Sequence, residues 1–332
     1  MNIFFFETNK EEEEYFRKNL GRHKLSFYEH DINEKNVKNA KDADILVIFV
    51  DSQISKEILD KLPKLKFVAT RSTGYDHIDL SACKEKGVKV SSVPHYGENT
   101  VAEHTFGLIL SLSRKIPDAV ERTKKDNFSL KGLEGFDLKG KVLGVIGPGD
   151  IGQHVIRMAK GFDMKVIANS NHNDKKLARK LGFSFVSLNY LLRNSDIITL
   201  HIPLNNSTRH LINMENVKMI KKGAYLVNTS RGEVVDTKAL KYALDRCILA
   251  GAALDVLEGE EEIKEEKSLL KREFNGRDWE TFLRNHVLLK DKNVIVTPHI
   301  AFYTKEALHR ILNTTAENVE GFLKGKVRNR AA

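Results

Sequence analysis

The stretch VLGVIGPGDIGQHV, residues 142–155, constrains the fold of this chain more than any other. An apolar run typical of a buried strand leads into Gly147, Gly149 and Gly152, which have the spacing G-x-G-x-x-G, and then into a predicted helix. In a dinucleotide site the first glycine permits a tight turn, the second lets the backbone approach a pyrophosphate, and the third lets the helix lie close to the strand. The N-terminus of the helix offers unpaired N–H groups to phosphates. The motif therefore predicts a dinucleotide site, although a plain tight connection can carry the same three glycines.

Length and composition limit the class of protein. A chain of 332 residues exceeds the roughly 250–300 residues at which one core stops growing, so we expect two domains. The first residues, MNIFFFETNKEEEE, have a short apolar run followed by acids, which predicts neither a signal peptide nor a membrane span. Cys83 and Cys247 lie far apart without a C-x-x-C pattern, which favours reduced thiols in a cytoplasmic protein and predicts no metal site.

The net charge of +9 raises the question of a nucleic-acid partner. The 54 lysines and arginines are scattered along the chain, and their pairs lie in polar surroundings without interleaved aromatic residues. Such a distribution is typical of solvated helix faces rather than of a groove that follows phosphates. We therefore expect no nucleic-acid partner.

Strand-like runs alternate with helix-compatible segments in two series. The runs at 2–6, 45–50, 66–70 and 88–93 predict a small parallel α/β domain, and a longer series from Gly140 predicts a Rossmann domain. A last helix, 305–323, begins after Thr304. We expect an α/β fold with a Rossmann dinucleotide-binding domain over 100–299, and a smaller flavodoxin-like substrate domain over 1–99 with 300–332.

Three segments carry more detailed predictions. Thr100 and Glu103 have the spacing of a capping box before an apolar helix that Pro117 ends, and this helix is expected to cross between domains, to form a dimer contact or to lie in one core. A helix is predicted over 213–220. Residues 258–293 interrupt the alternation with charged residues, which predicts a partly helical surface excursion.

Candidate chemical groups follow three predicted strands. Arg231 follows AYLVNTS, Asp255 ends AGAALD with Glu258 and Glu260 just beyond, and His299 ends VIVTPH. Ligands of open α/β sheets bind at the carboxyl ends of strands. A guanidinium binds a carboxylate, and an imidazole can donate a proton to a carbonyl oxygen while a hydride reaches its carbon. These are the groups that reduction of a 2-oxo acid requires.

Each group alone also has an ordinary explanation. Arg231 would serve in a surface ion pair, Glu260 belongs to an acidic run over 258–262, and His299 follows a proline in a turn. Their joint position beyond strands of the series that carries the glycine motif favours a catalytic role.

Six ordered motifs resemble the D-isomer-specific 2-hydroxyacid dehydrogenase family, and within it the D-lactate dehydrogenases. They cover nearly the whole chain: RSTGYDHIDL (71–80), VPHYGENTVAEHT (93–105), VLGVIGPGDIGQ, LVNTSRGEVVDTKAL (226–240), ALDVLEGEE (253–261) and TPHIAFYT (297–304). The resemblance implies that Arg231 binds the substrate carboxylate, that Glu260 orients the histidine and that His299 is the acid/base. It also implies a substrate pocket formed by Thr73, Gly74, Tyr96, Phe302 and Tyr303. The implied cofactor contacts are Gly147, Gly149, Asp150, Ile151, Gly152, Asn169, Ser170, Pro203, Thr208, Thr229, Ser230, Asp255 and Ala301.

The chain departs from the family pattern near the cofactor. Asn169 and Ser170 stand where relatives usually have an aspartate that binds the adenosine ribose, so NADP(H) becomes an option beside the NAD(H) that the resemblance implies. Asp150, as a helix N-cap, would place a negative charge near the phosphates. Pro148 removes one backbone donor from the turn.

The resemblance implies reduction of a short 2-oxo acid, pyruvate first, to the D-2-hydroxy acid. The alternatives are a glyoxylate or hydroxypyruvate reductase and a nucleotide-sensing interaction protein like the corepressors that resemble this family. A homodimer through the helix at 100–116 is also implied. No membrane or nucleic-acid partner is expected.

Overall fold

The computed structural model describes residues 1–260 and 276–331, and the chain forms two compact units. The first unit comprises Met1–Tyr96 and Tyr303–Ala332, and the second comprises Gly97–Phe302. The chain therefore passes between the units at 96–97 and 302–303 rather than at 99–100 and 299–300. The first shift follows from the helix that starts at Glu98, because this helix packs as a whole against elements of the second unit.

A five-stranded parallel sheet forms the centre of the first unit. The strand order β2-β1-β3-β4-β5 is that of flavodoxin-like folds. Its inner strands are buried along nearly their whole length, as expected for a parallel sheet with helices on both faces. The elements are β1 Asn2–Phe5, α1 Lys10–Leu20, β2 Lys24–Phe27, β3 Ile45–Ile48, α2 Lys56–Asp60, β4 Phe67–Thr70, α3 Leu80–Glu85 and β5 Lys89–Ser91.

The C-terminal helix of the chain completes the first unit. It is the last helix of the chain, α11, over Lys305–Leu323, and the Thr304 hydroxyl caps it by accepting a hydrogen bond from the N–H of Ala307 at 3.2 Å. Ala316 and Val319 of this helix pack into the apolar layer formed by β1, α1 and β4. The prediction of a helix over 305–323 after a Thr304 cap is confirmed.

A seven-stranded parallel sheet forms the centre of the second unit. Its strand order is β12-β11-β10-β9-β6-β7-β8. From β6 the chain adds strands first on one side of the sheet, as β7 and β8, and then on the other side from β9 onward, which is the Rossmann arrangement. The strands are β6 Val142–Ile146, β7 Lys165–Asn169, β8 Ser184–Phe185, β9 Ile197–Leu200, β10 Ala224–Asn228, β11 Leu249–Leu254 and β12 Val294–Val296. The helices are α4 Glu98–Arg114, α5 Ile116–Thr123, α6 Asp150–Gly161, α7 Lys175–Leu181, α8 Leu188–Asn194, α9 Thr237–Asp245 and α10 Gly276–Leu289. Because every strand pair is parallel, all carboxyl ends lie at one edge of the sheet.

The start and end of α4 differ from the prediction. The helix begins one turn earlier, with Gly97 as the N-cap and no capping side chain, so the expected capping box of Thr100 and Glu103 is wrong. Thr100 is buried inside the first turn instead. The helix ends before Lys115, which adopts a left-handed conformation, and Pro117 lies in the first turn of α5. Proline is tolerated there because the first N–H groups of a helix have no intrahelical acceptor.

The helix predicted over 213–220 is also wrong. Only Val217–Met219 form a short 3-10 turn. The Asn213 side chain accepts hydrogen bonds from the N–H groups of Glu215 and Asn216, and the Asn216 side chain accepts one from the N–H of Asn213. Side chains that satisfy the backbone locally compete with helix formation.

The charged excursion at 258–293 is helical over Gly276–Leu289. Asn285 and Leu288 of this helix are fully buried and the helix packs against α9, whereas Leu283 and Val287 are 58% and 50% exposed. This part is therefore a surface helix with one buried face, in agreement with the predicted partly helical surface excursion. Residues 261–275 of the excursion lie outside the described residues. Among the described residues, no helix combines the length and the apolarity needed to cross a membrane.

Candidate active site

Two glycines of the turn after β6 are required by protein packing. Gly147 has φ +89°, and a Cβ there would lie 2.4 Å from the carbonyl oxygen of His201. A Cβ on Gly152 would lie 2.3 Å from the carbonyl oxygen of Gly147, because α6 packs directly on the turn. These contacts explain the first and third glycines without any ligand.

The middle glycine is not required by the protein around it. Gly149 is exposed and is the N-cap of α6, a position predicted for Asp150, which is instead the first helical residue. A Cβ on Gly149 would have no atom within 4 Å. Beside this open space, the first-turn N–H groups of Ile151 and Gly152 have no intrahelical acceptor. Open space next to helix N–H groups fits a bound phosphate, so these residues suit the pyrophosphate of a dinucleotide.

The end of β7 carries no carboxylate aimed at a ribose. The Asn169 amide donates to the carbonyl of Val186 at 2.9 Å, and the Ser170 hydroxyl accepts from the N–H of His172 at 3.1 Å. Asp174 caps α7 by accepting hydrogen bonds from the N–H groups of Leu177 and Lys176, which lower its pKa. The next acid along the chain therefore serves as a helix cap.

The loop after β9 carries the predicted contacts Pro203 and Thr208. The Thr208 hydroxyl donates to the carbonyl of Pro203 at 2.7 Å and accepts from the N–H of Asn205 at 2.8 Å, which closes a compact turn. His201 precedes this turn, and burial lowers its pKa to about 3. Its ring is therefore neutral at physiological pH.

Asn228 builds the loop that carries Arg231. Its side-chain oxygen accepts from the N–H and the hydroxyl of Ser230, and its amide donates to the carbonyl of Arg231 at 2.8 Å. The hydroxyl of Thr229 pairs with that of Thr105 at 3.0 Å. Asn228 is 1% exposed. It is a supporting residue that the sequence analysis missed.

The loop with Arg231 packs on the segment with Glu260. A Cβ on Gly232 would lie 2.1 Å from the carbonyl carbon of Leu257, so the two backbones touch. The Arg231 guanidinium donates to the carbonyl of Ser230 at 2.8 Å. Glu260 is held on its own segment, because its carboxylate accepts from the N–H of Leu257 at 3.3 Å.

The structure brings Glu260 and His299 together. His299 Nδ1 lies 2.6 Å from Glu260 Oε1, with both side chains about one quarter exposed, at 28% and 25%. An ionised carboxylate only accepts, so Nδ1 carries the hydrogen and Nε2 is the nitrogen that gains and loses a proton. A histidine with one fixed nitrogen and one free to exchange a proton is suited to general acid/base catalysis.

His299 is held in a left-handed backbone conformation with φ +55°. Its N–H donates to the carbonyls of Asp255 and Thr297, both at 2.9 Å. Non-glycine residues in this region are uncommon and cluster at functional sites. The loop geometry therefore depends on Asp255 and Thr297.

The Asp255 carboxylate organises the loop at 297–301. It accepts from the Thr297 hydroxyl at 2.5 Å, from the N–H of Ile300 at 3.0 Å and from the N–H of Ala301 at 2.8 Å. Burial raises the pKa of Asp255, but hydrogen bonds from His104, Thr297 and the two N–H groups outweigh it and leave the pKa below its usual 3.8. Asp255 is therefore an ionised group, 1% exposed, at the end of β11.

A second histidine–carboxylate pair lies on the same segment as Glu260. His210 Nε2 is 2.6 Å from Glu258 Oε1, and the other Glu258 oxygen accepts from the N–H and the hydroxyl of Thr237. The Asn285 amide donates to the carbonyl of Glu258 at 2.7 Å. These partners are far apart in sequence, so no local pattern indicated them.

The predicted substrate residues of the first unit lie in the loops after β4 and β5. The Thr73 hydroxyl donates to the carbonyl of Val93 at 2.9 Å, and the carbonyl of Gly74 accepts from the hydroxyl of Ser72 at 2.6 Å. Within the described part of the chain, the N–H groups of Thr73 and Gly74 have no hydrogen-bond acceptor. The carbonyl of Tyr96 accepts from Arg310 at 2.6 Å. Two adjacent N–H groups form an anion-binding arrangement.

The two aromatic residues predicted to close the substrate pocket, Phe302 and Tyr303, belong to different units. Phe302 is the last residue of the second unit and Tyr303 resumes the first. The Tyr303 side chain is 61% exposed.

Known proteins similar to this chain come from one family. The family model described as "D-isomer specific 2-hydroxyacid dehydrogenase, NAD binding domain" matches residues 106–301. A D-lactate dehydrogenase of Escherichia coli is 38% identical over 305 residues, which are 91% of this chain and 90% of that protein. An aromatic 2-oxoacid reductase of Clostridium sporogenes is 37% identical over 296 residues, which are 87% and 86% of the two chains.

A solved structure extends the similarity to the fold. The D-lactate dehydrogenase of Aquifex aeolicus, complexed with NAD and lactic acid, is 38% identical, with a TM-score of 0.89 over 98% of this chain and 96% of the other. Fold, glycine turn, histidine–glutamate pair and sequence similarity point to one conclusion: the chain belongs to the D-isomer-specific 2-hydroxyacid dehydrogenase family and contains its Rossmann-type NAD-binding domain.

Proposed function

We propose that the protein reduces a short 2-oxo acid, pyruvate first, to the D-2-hydroxy acid with a nicotinamide nucleotide as reductant. The observation that carries the proposal is the 2.6 Å pair of His299 and Glu260, on a loop that leaves the same sheet edge as the glycine turn. The names of the E. coli and A. aeolicus relatives support lactate and pyruvate as the substrate pair.

The proposed roles of the second unit follow from its chemistry. Arg231 binds the carboxylate of the substrate, because a guanidinium stays charged and presents parallel donors. When bound, the nicotinamide supplies a hydride to the carbonyl carbon. His299 Nε2–H donates its proton to the carbonyl oxygen, and Glu260 stabilises the imidazolium before that transfer.

The first unit is proposed as the substrate domain. The N–H groups of Thr73 and Gly74 would donate hydrogen bonds to the substrate carboxylate, and Tyr96, Phe302 and Tyr303 would surround the substrate's side chain. The nucleotide contacts remain those predicted from the resemblance, with Gly149 as the position that protein packing leaves open.

The test is spectrophotometric. NADH or NADPH oxidation is followed with a panel of 2-oxo acids from glyoxylate and hydroxypyruvate to phenylpyruvate, for the parent and for His299→Gln. We expect pyruvate to be turned over and the variant to lose about 10²–10⁴-fold in kcat while cofactor binding persists. A parent that reduces no member of the panel would refute the proposal and favour a nucleotide-sensing binding protein.

Larger 2-oxo acids are the second candidate substrates. The specific support is the C. sporogenes relative, whose name is that of an aromatic 2-oxoacid reductase. The same panel decides between them, because kcat/KM for phenylpyruvate above that for pyruvate would select the larger class. A highest value for glyoxylate or hydroxypyruvate would select the remaining alternative.

We also propose that NADPH is accepted beside NADH. Ser170 is neutral, and Asp174 lies four residues further on as the cap of α7, so the position that directly follows β7 carries no carboxylate to repel a 2′-phosphate. Ser170→Asp should raise the KM for NADPH by about tenfold and leave that for NADH within about twofold, while Ser170→Asn should change neither. Equal NADPH use by the parent and the aspartate variant would contradict this explanation.

A homodimer is proposed through one apolar surface of the second unit. The large apolar residues of α4 pack inside the unit, with exposures of 5% or less for Phe106, Ile109 and Leu112. Beyond α4, the exposed fractions are 45% for Ile116, 47% for Val120, 77% for Phe128 and 83% for Leu130. This apolar surface 116–130 is a better contact than α4, because burying exposed apolar area drives association.

The cytoplasm is the proposed location. Cys83 and Cys247 are both unpaired thiols, which is typical of proteins in reducing compartments.

A further inference from the structure

His104 of α4 reaches the loop that carries the catalytic histidine. Its Nε2 lies 3.2 Å from the Thr297 hydroxyl oxygen and 3.4 Å from Asp255 Oδ1. Nothing in the glycine motif or in the strand-end pattern indicates this residue, because 193 positions separate His104 from Thr297 along the chain.

Hydrogen-bond chemistry fixes the direction of these contacts. Thr297 has one hydroxyl hydrogen, and it points to Asp255 Oδ1 at 2.5 Å, where the ionised carboxylate can only accept. The oxygen of Thr297 must therefore accept from His104, so His104 Nε2 carries a hydrogen. The result is a hydrogen-bond relay in which the imidazole donates to the hydroxyl and the hydroxyl donates to the carboxylate.

The Asp255 carboxylate, at the end of this relay, binds residues before and after His299. Asp255 Oδ1 accepts from the N–H of Ile300, and Oδ2 accepts from the N–H of Ala301. The carbonyls of Asp255 and Thr297 hold the N–H of His299 in its left-handed conformation. A change in the Asp255 carboxylate is therefore transmitted to the direction of the His299 ring.

Helix α4 supports a second loop of the site in the same way. The Thr105 hydroxyl donates to the carbonyl of Val101 at 2.8 Å, so in its contact with Thr229 it accepts. Thr229 lies two residues before Arg231. Adjacent side chains of one helix thus contact the loops that carry the guanidinium and the imidazole.

We propose that His104 is a positioning residue for the reaction: its Nε2–H aligns Thr297 and Asp255, which set the loop at 297–301 and the ring of His299. The inference rests on the proposed acid/base role of His299. His104 contacts neither reacting atom in this account, and its contribution passes through the two side chains that it orders.

The test compares His104→Leu, which removes the donor, with His104→Gln, whose amide nitrogen can replace Nε2–H. We expect kcat to fall by at least about tenfold in the leucine variant and to stay within about threefold of the parent in the glutamine variant. His23→Leu, in the turn before β2, is the control for loss of a histidine. A leucine variant as active as the parent, or a glutamine variant as impaired as leucine, would overturn the proposal.

A second pair of variants guards against loss of folding at His104. Thr297→Ser keeps the hydroxyl and Thr297→Val removes it at similar volume. We expect the serine variant to resemble His104→Gln and the valine variant to resemble His104→Leu, with thermal midpoints of all variants close to that of the parent. Equal activity of the serine and valine variants would contradict the relay.

Hydrogen exchange separates this inference from the proposed function. Exchange of the N–H groups of Ile300 and Ala301 can be measured by mass spectrometry whether or not any 2-oxo acid is reduced. We expect faster exchange in His104→Leu than in the parent and in His104→Gln. Unchanged exchange in the leucine variant would refute the positioning role, even in an active enzyme.

Discussion

At the scale of single residues, the site depends on which atom of each side chain is already occupied. Glu260 holds one nitrogen of His299 at 2.6 Å, and Asp255 uses its carboxylate to hold the loop around it. The proposed proton donor is therefore the other ring nitrogen, His299 Nε2. The left-handed backbone of His299 belongs to the same loop, where its N–H donates to the carbonyls of Asp255 and Thr297.

Glu260→Gln tests the role of the charge on the orienting carboxylate. The amide oxygen can still accept from Nδ1–H, but it cannot neutralise an imidazolium, so we expect kcat for pyruvate reduction to fall by about 10–100-fold. Cofactor affinity, measured by fluorescence titration, should change little. Glu215→Gln, an exposed position in the turn at 213–216, is the matched control. A fully active Glu260→Gln enzyme would remove the charge from the mechanism.

His201 is partly exposed as a residue, but its ring nitrogen Nδ1 is buried without a hydrogen-bond partner, and this predicts how stability depends on pH. Its pKa in the folded state is about 3, because burial disfavours the imidazolium, whereas the unfolded chain has a value near 6.5. The folded state therefore binds fewer protons below pH 6.5. The contribution of neutral His201 to the free energy of unfolding is complete above pH 6.5. It is lost as the pH falls toward 3, by at most about 1.4 kcal/mol per pH unit.

Denaturant unfolding at several pH values measures this effect. The free energy of unfolding of His201→Asn should fall less steeply between pH 6.5 and 4 than that of the parent, while His23→Asn should follow the parent. Parallel curves for the parent and His201→Asn would show that His201 is not the group responsible.

Residue roles could be predicted only where the sequence places a group beyond a strand. Arg231, Glu260 and His299 follow predicted strands and lie in motifs, so their candidacy could be stated from the sequence. Of their supporting residues, Asn228 bonds within its own loop to Ser230 and Arg231, whereas His104 meets Thr297 only when the unit is folded. A local pattern carries no signal for a partner 193 positions away.

At the scale of elements, the three glycines of the turn after β6 have different purposes: two are required by protein packing and one is proposed to leave space for the cofactor. Gly147 and Gly152 avoid overlaps within the protein, whereas Gly149 faces open space. The three glycines therefore predict different consequences of adding a methyl group.

Gly149→Ala should leave thermal stability nearly unchanged and weaken NADH binding by about tenfold or more, since its Cβ would occupy the space proposed for the pyrophosphate. Gly161→Ala, also open but at the far end of α6, is the matched control and should bind NADH normally. Gly152→Ala should lower the thermal midpoint, because its Cβ would overlap the Gly147 carbonyl. Normal NADH binding by Gly149→Ala would contradict the proposed phosphate position.

Elements with a strong apolar period were predicted well, and those governed by polar side chains were not. The Rossmann strands and the helix at 305–323 follow from apolar runs and a threonine cap. The helix expected at 213–220 fails because asparagine side chains bind the local backbone. Strand β2, with sequence KLSF, was missed because only parallel pairing with β1 identifies it.

At the scale of the whole molecule, the apolar surface 116–130 predicts self-association. Phe128 and Leu130 are the most exposed large apolar residues of that surface. We expect the parent to have twice the chain mass in light scattering and the double variant Phe128→Ser, Leu130→Ser to shift toward the monomer. Tyr190→Ser, an exposed aromatic residue on α8, should leave the mass unchanged. A monomeric parent would contradict the dimer proposal.

The chirality of the product formed by the purified enzyme is the decisive property of the proposed reaction. Pyruvate and reduced cofactor are incubated with the parent and with His299→Gln, cofactor oxidation is followed by absorbance, and lactate is resolved by chiral chromatography. We expect D-lactate equimolar with the oxidised cofactor for the parent, and almost none for the variant. L-lactate from the parent, or undiminished D-lactate from the variant, would contradict the proposed reaction.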